Sequence, residues 1–71
     1  MALDVRDAIL TVLREADGPL HWTAVQDRAL RAGLIDPFTQ TDVRKQVLSA
    51  LAGLARDGAV RKVGTGVYEA A

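Results

Sequence analysis

The sequence predicts a small, mostly helical α+β domain in which three helices are followed by a two-stranded β-hairpin. Two observations support this. Three segments carry apolar residues at helical spacing, and two β-prone runs after them are joined by Gly64-Thr65-Gly66. With 71 residues, 49% of them hydrophobic, the chain has room for one core. We expect a single domain over 1–71, either a whole small protein or a module of a larger one.

The first helix is predicted from about residue 4 to residue 16. Asp4 is expected to cap it, and Asp17-Gly18-Pro19 to end it, because Pro cannot continue a helix and Gly supplies the turn. Its predicted buried face follows the i, i+3, i+4, i+7 pattern and consists of Val5, Ala8, Ile9, Val12, Leu13 and Ala16.

The segment after this helix predicts a brief strand and then a second helix. Leu20 and Trp22 alternate with His21, as in a short extended segment beside the later hairpin. Thr23 is the predicted cap of the second helix. Gly33 is expected to end that helix, after which Ile35 returns to the core.

The third helix is the longest. Thr39 and Thr41 are rival predicted N-caps, and Asp57-Gly58 is the predicted stop, because Gly adopts the left-handed conformation that ends helices. Its buried face is predicted to contain Val43, Val47, Leu51 and Leu54. The opposite face is small, polar and carries two cations; it consists of Thr41, Lys45, Ser49, Ala52 and Arg56.

The predicted hairpin is basic near its tip, where Arg61 and Lys62 precede Gly64-Thr65-Gly66. Strict alternation of apolar and polar residues fails between Val60 and Val63. A strand that breaks the two-residue period often contains an inserted residue, so we expect a bulge or twist there.

Charge gives mixed indications about a binding partner. The chain has nine acidic and nine basic residues, so its net charge is zero, whereas many nucleic-acid-binding domains are strongly basic. Residues 1–36 carry six acids and four bases, and residues 37–71 carry three acids and five bases. This bias weakly favours a contact surface in the C-terminal half.

Several classes of protein are disfavoured by what the sequence lacks. Without cysteine it has no disulfide or thiolate metal site, and His21 is the only histidine. No nucleophile with a base, phosphate-binding glycine loop or carboxylate pair in an evident cleft is apparent. We therefore expect no enzyme activity, metal or cofactor. No signal peptide or apolar run of about 18 residues is seen, so we predict a cytoplasmic protein without membrane contact.

Three helices followed by a two-stranded wing are the winged helix-turn-helix arrangement, whose third helix commonly lies in the DNA major groove. The chain also resembles the HARE-type helix-turn-helix domains. Three segments carry the resemblance: Asp17-Gly18-Pro19-Leu20-His21-Trp22-Thr23, Ala32-Gly33-Leu34-Ile35, and Val60 to Tyr68 with its Gly64-Thr65-Gly66 turn. The resemblance implies a module of DNA-handling machinery, such as restriction endonucleases, chromatin proteins or a bacterial RNA polymerase subunit, that reads DNA or its modification state.

The predicted partner is double-stranded DNA. Polar side chains can bond base edges, and cations can meet guanine or phosphate. Arg44, nearer the core, is predicted to be a phosphate clamp or a member of an internal ion pair. The candidate contacts are Thr39, Gln40, Thr41, Arg44, Lys45, Ser49 and Arg56 on the third helix, and Arg61, Lys62 and Thr65 on the wing.

Less specific interpretations stay open for the same residues. The helix positions also fit a solvated face, and the wing cations also fit protection of an edge strand. Trp22 is expected in the core more than stacked on a base, and His21 in a structural role. The alternative function is a protein-docking or dimerisation module that uses Ala52, Gly53, Leu10 or Leu30 and binds no DNA.

Overall fold

The computed structural model describes residues 4–36 and 42–71. Three α-helices and one three-stranded antiparallel sheet make up this part, in the strand order β1-β3-β2. The predicted fold class is confirmed, and the arrangement is compatible with a winged helix. The elements are α1 (Val5–Glu15), β1 (Leu20–His21), α2 (Trp22–Arg31), α3 (Val43–Arg56), β2 (Val60–Gly64) and β3 (Val67–Ala70).

The core lies where the three helices meet the inner face of the sheet. It is almost wholly aliphatic, with Tyr68 as its one aromatic member among the described residues. The predicted inner face of α1 is confirmed, except that Ala16 follows the helix as its C-cap and is only partly buried. The buried residues are Val5, Ala8, Ile9, Val12, Leu13, Val25, Ala29, Ile35, Val47, Leu51, Leu54, Val60 and Tyr68.

The predicted glycine stops of α2 and α3 are confirmed. Gly33 and Gly58 have φ values of 72° and 82°, which side chains with a Cβ atom rarely adopt. After each glycine the next N–H donates back into the last helical turn: Leu34 to the Ala29 carbonyl and Ala59 to the Leu54 carbonyl, both at 2.9 Å. This pattern satisfies carbonyls that a helix end otherwise leaves open, and it turns the chain back toward the core.

The predicted caps at the helix starts were less accurate. For α2 the prediction of Thr23 is wrong, because His21 is the N-cap and its side chain accepts from the Thr23 N–H. Asp42 caps α3, accepting from the Lys45 N–H at 3.0 Å, and the predicted caps Thr39 and Thr41 lie outside the described residues. Asp4 occupies the N-cap position of α1, but its side chain makes no capping hydrogen bond.

The sheet joins the segment before α2 to the hairpin, as predicted, although the strand ends at His21 and Trp22, predicted to be extended, begins α2. Leu20 pairs with Tyr68 and His21 with Val67. The register of β2 against β3 shifts between Lys62 and Gly64, so a bulge is present and the inserted residue is Val63, at the end of the predicted interval. Val63 is 47% exposed.

No helix in the described ranges is long and apolar enough to cross a membrane.

Candidate nucleic-acid interface

The outer surface of α3 is the first part of the candidate site. Helical periodicity places Lys45, Ser49, Ala52 and Arg56 opposite the buried stripe, and all four are exposed. We call these four residues the α3 face. Lys45 and Arg56 lie roughly 16 Å apart along the axis, at about 1.5 Å per residue. The face thus presents one cation near each end, with small or polar side chains between them.

A groove of about 680 Å³ runs between the N-terminal end of α1 and α3. Asp4 and Arg6 line it from the α1 side, and Asp42, Lys45 and Arg56 are among the α3 residues that line it. Two carboxylates therefore border the α3 face. Like charges repel, so they weaken the attraction of this flank for phosphate.

Most cations of the C-terminal half have no carboxylate within 4.0 Å in the part of the chain that the structure describes. The exception is Arg61, whose Nε lies 3.5 Å from Oε1 of Glu69. The other two ion pairs, Arg6 with Asp57 and Arg31 with Asp27, lie outside the candidate site residues. Within residues 4–36 and 42–71, the cations without a carboxylate partner are Arg44, Lys45, Arg56 and Lys62, together with Arg14 on α1 and Arg28 on α2.

The strand register separates the two cations of the wing, the β2–β3 hairpin. Lys62 pairs with Tyr68, and Arg61 pairs with Glu69. Paired residues share one face of a sheet, and successive side chains alternate. Because Tyr68 is buried, Lys62 lies on the face that carries the helices, whereas Arg61 lies on the outer face. Thr65 is exposed at the tip.

Arg44 and Trp22 form a contact between the start of α3 and the start of α2. The guanidinium carbon of Arg44 lies 5.4 Å from the ring centroid of Trp22, within the range of a cation–π interaction. The predicted internal ion pair for Arg44 is not seen among the described residues. Trp22 is partly buried against the core, as expected. No sequence signal pointed to the contact, because the partners lie on different helices.

The backbone ties the same tryptophan to the wing. The Trp22 N–H donates to the Gly66 carbonyl at 2.8 Å. A Cβ atom added at Gly66 would lie 3.1 Å from both Trp22 Cδ1 and His21 Nε2, so the turn is packed closely against these rings. The wing tip therefore sits beside the first turn of α2.

Other sequence-predicted positions add little to the site. Thr39, Gln40 and Thr41 lie outside the described residues. His21 has the expected structural role, in β1 and as the cap of α2. Across residues 4–36 and 42–71, no group of three or more His, Cys, Asp or Glu side chains could hold a metal ion.

Comparison with known proteins gives no family assignment. Neither a family model, nor a curated protein, nor a solved structure matches this chain.

Proposed function

We propose that this protein is a double-stranded DNA-binding winged-helix module. In this proposal α3 enters the major groove and the wing contacts the backbone or minor groove. The observation that carries it is the group of exposed cations Lys45, Arg56 and Lys62, none with a carboxylate partner among the described residues. Two are on the α3 face, and the third is on the helix-bearing face of the sheet.

Each residue has a distinct proposed role. Ser49, in the middle of the α3 face, can exchange hydrogen bonds with base edges. Lys45 meets guanine or phosphate, and Arg56 and Lys62 meet phosphate. Arg61 contributes less, because its ion pair with Glu69 must break before it binds phosphate. Breaking an exposed ion pair of this kind costs only about 0.2–1 kcal/mol.

The zero net charge limits the affinity that this surface can provide. Only local cations attract the duplex, and Asp4 and Asp42 oppose them from the groove. If three to five phosphates are neutralised, the logarithm of the binding constant should fall against the logarithm of salt concentration with a slope of roughly −3 to −4.5. A single module of this charge should bind weakly, so a homodimer or further domains of a parent protein would be needed for tight binding.

The proposed biological setting is a DNA-handling system. A restriction-modification or transcription role rests on the resemblance to HARE-type helix-turn-helix domains, and the proposed location is the cytoplasm. That resemblance lies in short segments such as Pro19-Leu20-His21 and the Gly64-Thr65-Gly66 turn.

The test is a titration of a fluorescently labelled random duplex of about 20 base pairs at low salt, followed by anisotropy. The double variant Lys45→Gln/Lys62→Gln removes one cation from α3 and one from the wing. The double variant Arg14→Gln/Arg28→Gln removes two cations from α1 and α2 and is the matched control. We expect salt-sensitive wild-type binding that the first double variant weakens and the control preserves. Absence of binding at tens of micromolar, or equal losses in both variants, would overturn the proposal.

A second candidate is a protein-docking module, favoured by the mixed charge of the groove between α1 and α3. Three of its lining residues, Ser49, Ala50 and Gly53, are small, which lets another helix approach closely. Leu10 and Leu30 pack against the core, so this docking would concentrate on α3. Sedimentation that shows concentration-dependent association, unchanged by moderate salt, would favour docking over DNA binding.

A further inference from the structure

We propose that Trp22 is a positioning residue of the DNA interface: its indole holds the Arg44 guanidinium beside the wing tip, where Arg44 binds a backbone phosphate. The inference rests on the proposed function and deepens it. It adds a phosphate contact by Arg44 at the junction of α3 and the wing. It also gives Trp22 on α2 the role of holding Arg44 in position for this contact.

The indole is held from the side of the wing. The backbone N–H of Trp22 donates to the Gly66 carbonyl at 2.8 Å. A Cβ atom at Gly66 would lie only 3.1 Å from Cδ1 of the indole. The His21 ring flanks it, with centroids 5.7 Å apart. A ring restrained by a β-turn and by the core is a fixed platform for the side chain over it.

The charge of Arg44 is available to an anion. Its guanidinium carbon lies over the ring at 5.4 Å, the residue is exposed, and no carboxylate of the described ranges pairs with it. A guanidinium contacts an aromatic ring through its face, while its N–H donors lie in its plane. Such a group can rest on the indole and donate to phosphate oxygens at the same time.

The position of Arg44 favours phosphate over bases. It lies about 100° around the helix from Lys45, on the flank toward Trp22 and away from the centre of the α3 face. The Asp42 carboxylate lies at the start of α3, where it accepts from the Lys45 N–H at 3.0 Å, and its negative charge opposes binding of a phosphate to the helix terminus itself. The contact at this end of α3 therefore falls to the Arg44 side chain.

Because the indole already restrains the Arg44 side chain, that side chain loses less conformational entropy when it binds the duplex. Cation–π contacts at exposed sites are modest in strength, so loss of the indole should weaken binding about two- to five-fold. Arg44→Gln should weaken binding more, because it removes the phosphate contact, and should reduce the salt slope by about 0.9.

The closing experiment is a double-variant cycle on the labelled duplex, with Trp22→Leu, Arg44→Gln and both together. We expect Trp22→Leu to weaken wild-type binding and to have no further effect in the Arg44→Gln background. Trp22→Phe retains a ring and should recover part of the loss. Circular dichroism of each variant checks that the fold is retained, since Trp22 packs against the core.

A second measurement needs no change at Trp22. It is the only tryptophan, so its emission reports this contact directly. In wild type the emission should change in step with duplex anisotropy; in Arg44→Gln, at saturating duplex, the change should be lost. Emission that stays constant while wild type binds, or equal losses from Trp22→Leu in both backgrounds, would overturn the role of Trp22 and leave the proposed function standing. Absence of wild-type binding would overturn both.

Discussion

The Nδ1 atom of His21 accepts a hydrogen bond from the backbone N–H of Thr23 at 3.2 Å, so the imidazole caps α2. The Thr23 hydroxyl oxygen lies 2.8 Å from the same nitrogen. A ring nitrogen accepts only when it carries no proton, so this arrangement requires the tautomer protonated on Nε2. The same residue pairs with Val67 in the sheet, and one side chain therefore sits where α2 meets the wing.

Loss of this cap should destabilise the protein. We expect His21→Ala to lower the free energy of unfolding by about 0.5–2 kcal/mol, the usual effect of removing a capping acceptor. Asn is a strong N-cap residue, so His21→Asn should recover much of that loss. Urea unfolding followed by circular dichroism measures both. Equal stability of His21→Ala and wild type would show that the cap contributes nothing.

The wing turn should be intolerant of a side chain. Gly66 has a φ of 71°, and its added Cβ would lie 3.1 Å from His21 Nε2 and Trp22 Cδ1. We expect Gly66→Ala to cost about 1–3 kcal/mol through backbone strain, with the close contacts adding to it.

Gly18→Ala is the control for this turn, because a Cβ at Gly18 meets nothing within 4 Å and its φ is not positive. For a domain of this size, each kcal/mol should lower the melting temperature by about 4–8 °C. Thermal melts in which the two variants lose stability equally would contradict the restraint at Gly66.

Asp42 has two separable effects, as a cap and as a charge. Asp42→Ala should cost about 0.5–2 kcal/mol of stability, whereas Asp42→Asn should cost little, because Asn caps as well as Asp. If α3 binds DNA, Asp42→Asn should also bind the duplex about two- to five-fold more tightly, since one repulsive charge is gone. Chemical unfolding and duplex anisotropy separate the two effects; an unchanged affinity would place the phosphates away from the start of α3.

The two wing cations should contribute unequally to DNA binding. Lys62→Gln should reduce the salt slope by about 0.9, while Arg61→Gln should change it less, because Arg61 is paired with Glu69. Glu69→Gln frees Arg61 and should tighten binding. Anisotropy titrations at several salt concentrations rank the three variants, and a larger effect of Arg61→Gln than of Lys62→Gln would place DNA on the outer face of the sheet.

The features that the sequence predicted are those set by local chemistry. The buried stripes of α1 and α3 follow from helical spacing, with Val43 only partly buried. The helix stops at Gly33 and Gly58 follow from a conformation that glycine adopts readily. The exposure of Lys45 and Arg56 follows from the same periodicity. These properties depend on residues within a few positions of one another.

The features that the sequence did not predict depend on distant contacts. Thr23 is a better general cap than His21, but pairing of β1 with β3 places His21 at the start of α2. The stacking of Arg44 on Trp22 and the pairing of Arg61 with Glu69 likewise join separate elements. Sequence spacing carries no information about these partners.

The strand order β1-β3-β2 makes the last strand in the chain the middle strand of the sheet. During synthesis on the ribosome, Leu20 and His21 emerge long before Tyr68 and Val67, with which they pair. The hydrogen bonds within each helix are local and can form early, while β1 must wait for β3. Pairing of such distant residues is slow, so closure of the sheet is expected late in folding, and the turn at Gly66 reaches Trp22 only then.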